Sequence, residues 1–114
     1  MSGYKEVNIK SDMPTASDAV KRVNFHLRNS KAHGYTALKL IHGYGSHGVG
    51  GKIRTEVRGY LARQKSQRMI KDFIPGEDFS IFNDATRNAF AVCDDLRRDS
   101  DLERHNNGVT IVIL

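Results

Sequence analysis

His42-Gly43-Tyr44-Gly45-Ser46-His47-Gly48-Val49-Gly50-Gly51-Lys52-Ile53-Arg54 holds five of the chain's ten glycines, between an apolar run and a basic helical pattern. Before it, Tyr35 to Ile41 is apolar except at Thr36 and Lys39, as a strand buried on both faces would be. After it, Ile53, Val57, Tyr60 and Leu61 form a helical stripe, with Arg54 and Arg58 one turn apart on another face. A strand entering a helix through such a loop is an α/β unit, and open α/β sheets take ligands beyond the carboxyl ends of their strands. Glycines allow positive φ and close backbone approach, and the amides opening a helix carry partial positive charge, so the loop suits an anion, above all a phosphate. The expected contacts are Gly43, Tyr44, Gly45, Gly48, Gly50, Gly51, Lys52, Arg54 and Arg58. His42 is the candidate for phosphate contact or proton transfer, because imidazole titrates near neutral pH.

Working outward, Tyr4 to Lys10 alternates as a half-exposed strand does. Thr15 with Asp18 resembles a helix-capping pair. Ala16, Ala19, Val20, Val23 and Leu27 then make one apolar stripe, and Gly34 is placed to end the helix. Met69 to Ile74 reads as a third strand, Pro75-Gly76 as the centre of a type II turn, and Phe79 to Phe82 as a short strand pairing back. From Asn83 or Asp84, Ala85, Ala89, Val92, Cys93 and Leu96 recur at helical spacing. Residues 94 to 107 read as a fraying helix end and a solvated acidic loop. Gly108 to Leu114 closes the chain as a strand. The order β-α-β-α-β-(β)-α-β predicts a two-layer α/β sandwich around a mixed sheet.

The 114 residues fit one domain with a core of its own. No apolar run has the length of a membrane span and no secretion leader is visible, so a cytoplasmic protein without membrane contact is expected. The lone Cys93 reads as a small buried hydrophobe. Residues 1 to 71 carry fourteen Lys or Arg against four acids, whereas residues 72 to 114 carry four Arg against nine acids. A basic portion of this kind is the footprint of a polyanion binder, although charge alone also permits a protein-interaction module. The acidic segment is more readily a solvated face than a metal site, or else a cover lying over the basic surface and competing with nucleic acid.

Gly43 to Gly48 matches the G-x-G-x-x-G spacing but lacks an acid about twenty residues on, and Gly51-Lys52 is followed by Ile53, so neither nucleotide-binding fingerprint is met. His42 and His47 lack partners for a metal set, and no metal or other cofactor is expected for a binding domain. A nuclease would be the exception, with a divalent ion at Asp12 or the acidic segment.

Leu38-Lys39-Leu40-Ile41-His42-Gly43-Tyr44-Gly45, with Lys52-Ile53-Arg54 opening the next helix, resembles the second motif of the Smr (small MutS-related) domain family. There an apolar strand runs into His-Gly-Lys-Gly, a small-residue loop and a Leu-Arg helix start. Asn107 to Leu114 is similar to the family's closing strand. The resemblance implies a single Smr-like domain over residues 1 to 114 with an acidic insertion at about 75 to 106. It also implies nucleic-acid (RNA or DNA) binding and, in some members, nicking or endonuclease activity. The family's first motif, Leu-Asp-Leu-His-Gly, falls on Val7-Asn8-Ile9-Lys10-Ser11, so the acid becomes Asn8 and the histidine becomes Lys10. Lys10 adds positive charge for phosphate but no general base, and Tyr44 replaces a lysine with a surface on which a base can stack. The expectation is a nucleic-acid-binding domain, with an endonuclease and a protein-interaction module as the alternatives.

Overall fold

The computed structural model describes residues 3–43 and 49–114. Its elements are β1 (Tyr4–Asn8), α1 (Ala16–Ala32), β2 (Ala37–Ile41), α2 (Val49–Ser66), β3 (Asp72–Pro75), α3 (Asp84–Val92) and β4 (Val109–Ile113), with 3₁₀ helices at Gly76–Asp78 and Asp94–Arg98. The sheet runs in the order β1-β2-β4-β3. β1 and β2 are parallel, and β4 is antiparallel to both of its neighbours. The mixed sheet expected from the sequence is therefore present, with the closing strand in its interior.

Alternation along the strands divides the core. Val7, Ile9, Leu38, Leu40 and Val112 face α1 and α2, which supply Ala19, Val23, Leu27, Ile53, Val57 and Leu61. Ala37, Ile74, Ile111 and Ile113 face the other way, against Phe79, Ala89, Phe90, Cys93 and Leu96. Each large side chain fully removed from water in these clusters contributes about 1.5–3 kcal/mol. Thr15 caps α1 by accepting from Asp18 N at 3.1 Å, and Gly34 follows its end at φ 82°. Asn83 caps α3, accepting from Thr86 N at 2.9 Å. Cys93 is buried, as the sequence suggested.

The structure corrects the reading of residues 69 to 107 at several points. The third strand begins at Asp72, because Arg68 turns the chain at φ 61° and Met69 stays exposed. Pro75 ends β3, and Gly76 opens a 3₁₀ helix without the positive φ a type II turn needs. A Cβ on Gly76 would lie 2.0 Å from Asn106 O and 2.7 Å from Val109 O, so glycine is required here for backbone approach. Phe79 to Phe82 forms no strand. Ile81 N donates instead to Glu103 Oε2 at 2.6 Å, and Glu103 N donates to Phe79 O at 3.0 Å.

The third helical pattern breaks at Cys93, which is extended at φ −142°, and Leu96 is buried from the following 3₁₀ helix. Nor is the acidic segment a solvated loop. It packs on the sheet face opposite α1 and α2, which excludes it as a cover over the basic helices. Asp99 is only 8 % exposed and, with Asp101, receives the buried Lys39 ammonium at 3.0 and 2.5 Å.

Candidate nucleic-acid interface

One end of the sheet gathers the carboxyl ends of β1 and β2 and, because β4 runs the other way, its amino end. Gly108 O accepts from His42 N at 3.0 Å and from Gly43 N at 2.9 Å, pinning the start of the glycine stretch to β4. Gly43 takes φ 81°, a conformation that favours glycine. The Lys10 Cδ lies 3.4 Å from where a Cβ on Gly43 would stand, so the parallel pairing of β1 and β2 sets Lys10 beside Gly43, with its side chain exposed. Asn8 turns its side chain back on the chain, where Oδ1 accepts from Lys10 N at 2.9 Å.

α2 begins at Val49, so Gly50 and Gly51 belong to its first turn rather than to the loop. That turn contains no acid. Lys52 is exposed and Arg54 half-buried, and among the described residues neither they nor Lys10 has an ion-pair or side-chain hydrogen-bond partner. Opening amides and three uncommitted cations therefore share one end of the molecule, which gives an anion both dipole and charge to meet. Tyr44, Gly45 and Gly48 lie outside the described residues.

His42 and Arg58 have places different from those the sequence suggested. His42 is completely buried. Its Nδ1 lies 3.0 Å from Gly43 O and its Nε2 lies 2.8 Å from Thr110 Oγ1. Arg58 Nε donates to that same Thr110 oxygen at 3.1 Å. The network closes in one sense: Arg58 donates to Thr110, the Thr110 hydroxyl donates to His42 Nε2, and His42 Nδ1–H donates to Gly43 O. Burial above all, with the Arg58 and Arg54 charges behind it, pushes the imidazole down to about 4 despite its bond to Gly43. His42 is thus a neutral strut between Gly43 and Thr110, and a ring with both nitrogens engaged is poorly placed to take a proton from substrate.

Arg58 is equally committed. It grips Glu77 with two bonds of 2.8 Å and donates to Asn107 O and Val109 O at 3.3 Å, so its guanidinium is turned inward onto these partners. These bonds hold Glu77 below the usual carboxylate range against the opposing effect of burial.

Nothing local in the sequence marks Glu77 or Thr110, whose partners lie 19 and 68 residues away. Asn107 and His105 also reach this end, His105 through Nδ1 at 3.2 Å from Glu77 O. An antiparallel placement of the last strand was the one signal that would have located them. Among the described residues no group of three or more His, Cys, Asp or Glu is placed to hold a metal ion. No helix among them is long and apolar enough to cross a membrane.

Comparison with known proteins bears on the same strand, loop and helix. No curated protein sequence matches the chain. The crystal structure of the Smr domain of Thermus thermophilus MutS2 superimposes with a TM-score of 0.59 and 24% sequence identity, over 96% of each chain. That likeness speaks for the fold. The sequence model of the Smr domain matches residues 12–78, which contain α1, β2, the glycine stretch, α2 and β3. With more than half its length matched, and with the strand that enters His42-Gly43 lying at the heart of the match, the chain belongs to the Smr domain family.

Proposed function

We propose that this Smr domain binds nucleic acid through the end of the sheet where β1, β2 and α2 meet. The observation that carries the reading is the set of uncommitted cations, Lys10, Lys52 and Arg54, beside a helix start without an acid. Phosphates would lie over the amides opening α2, at Gly50 and Gly51, with Lys10 flanking them from β1 and Tyr44 supplying a stacking surface. His42 and Arg58 serve the same site indirectly, by fixing the start of the loop and the position of α2. Cleavage fits these residues less well. The imidazole is engaged at both nitrogens, and the first motif has Asn8 and Lys10 where the family pattern has an acid and a histidine.

Binding of this kind follows counterion release and weakens steeply with salt. Fluorescence anisotropy with short RNA and DNA at low salt tests it. Lys52→Ala with Arg54→Ala should weaken binding alike on all sequences, as loss of phosphate contacts does. No affinity of the unaltered protein for either nucleic acid would end the proposal.

A further inference from the structure

We infer that the nucleic-acid path does not stop at the glycine stretch but continues along the outer seam between α1 and α2, where the phosphodiester backbone lies in two basic hollows. This extension rests on the binding reading above. The two helices carry nine Lys or Arg against two acids, Asp18 and Glu56. Four of those bases are committed elsewhere: Arg22 to Ser11 O, Lys31 to Met69 O, Arg58 to Glu77 and Lys65 to Asp72. Lys21, Arg28 and Arg63 have no ion-pair partner among the described residues, and each is exposed.

The hollows lie in series. The first, about 590 Å³, is bordered by Thr15, Lys21, Lys52, Glu56 and Arg63. The second, about 300 Å³, is bordered by Asn24, Arg28, Lys31, Tyr60 and Gln64. Between them Tyr60 OH donates to Asn24 Oδ1 at 3.0 Å, and the Arg63 guanidinium stands 6.0 Å from the Tyr60 ring centroid. Lys52 belongs both to the opening of α2 and to the first hollow, so the seam is continuous with the proposed phosphate site.

The occupant follows from this chemistry. Cations spaced along a groove, with amide side chains such as Asn24 and Gln64 between them, suit a chain of regularly spaced monoanions that also offers hydrogen-bond acceptors. A phosphodiester strand is such a chain. At 1.5 Å per residue the 18 residues of α2 extend about 27 Å, the rise of about eight phosphates of one duplex strand. The opposite sheet face carries the acidic segment, so an extended polyanion is guided to the helical side alone.

The test measures salt-dependent anisotropy of single- and double-stranded 12-mers and of 4-mers on three proteins. These are the unaltered chain, the seam variant Lys21→Gln/Arg28→Gln/Arg63→Gln, and the loop variant Lys52→Ala/Arg54→Ala, each checked for folding by circular dichroism. The seam variant should bind the 12-mers at least about tenfold more weakly, with a log–log salt slope shallower by about 2 to 3, and should bind the 4-mers nearly as the unaltered chain does. Comparing the single- and double-stranded arms identifies which form follows the seam. If the seam variant keeps both affinity and slope while the loop variant weakens, the seam path is wrong and the loop site stands. If the seam variant weakens and the loop variant does not, the seam binds and the loop site is wrong. If the unaltered chain binds no oligonucleotide, both fall. If polyglutamate of matched charge displaces the 12-mer as well as unlabelled oligonucleotide does, the seam path is overturned in favour of an acidic protein segment.

Discussion

Lys39 and Asp99, sixty residues apart in sequence, form a buried ion pair of 3.0 Å between the middle of β2 and the turn after the second 3₁₀ helix. Asp101 completes it at 2.5 Å, and Tyr4 OH donates to the other Asp99 oxygen at 2.7 Å. Burial would lower the lysine's pKa, but the two carboxylates outweigh it and raise it. The group fastens the acidic segment to the sheet face away from the basic helices.

Lys39→Met should therefore cost about 3 to 5 kcal/mol in urea unfolding at pH 7, because it leaves carboxylates uncompensated in a dry site. Adding Asp99→Asn should recover part of the loss by removing one of those charges while keeping an acceptor for Tyr4. A cost below about 1 kcal/mol for Lys39→Met would show that the pair does not hold the segment.

Lys39 also shows where sequence reading reached its limit. In the pattern it was an interruption of an apolar strand, and nothing local to it points to residues 99 and 101. The capping residues Thr15 and Asn83, the apolar β2 and the glycine stretch were legible because their physics is local. Gly76 is required by the approach of Asn106 and Val109, a tertiary fact, while the same Pro-Gly pair serves equally well in a local turn. At the candidate site, Lys52 and Arg54 are legible from their place at the helix start after the glycine stretch, and Lys10 from its place in the first motif. The inward turn of Arg58 and the burial of His42 depended on Glu77 and Thr110, which no spacing in the sequence connects to them.

The burial of His42 has a pH signature. Its folded pKa, near 4, lies below the ordinary histidine value of 6.5, so the unfolded chain binds the additional proton between them. Stability from this group is complete above about pH 6.5 and is lost as pH falls toward 4, by about 3 kcal/mol in all. Urea unfolding from pH 7 to 4.5 should show the decline, and His42→Gln should flatten it while lowering stability at pH 7. Imidazole nitrogen NMR at pH 6 should find His42 neutral with its proton on Nδ1. A charged ring, or a proton on Nε2, would refute the hydrogen-bond sequence from Arg58 through Thr110.

Arg58 separates stability from binding. A lysine there keeps the charge but has no planar fork, so it cannot reproduce two bonds to Glu77 together with one to Thr110. Arg58→Lys should cost about 2 kcal/mol, since the side chain is only 18% exposed and Glu77 and Thr110 lose charge-assisted partners. Because the guanidinium faces inward, the salt slope of nucleic-acid binding should stay as it is in the unaltered chain under conditions where the variant is fully folded. Chemical unfolding and anisotropy read the two effects independently. A slope shallower by about 1 without loss of stability would instead make Arg58 a direct phosphate contact.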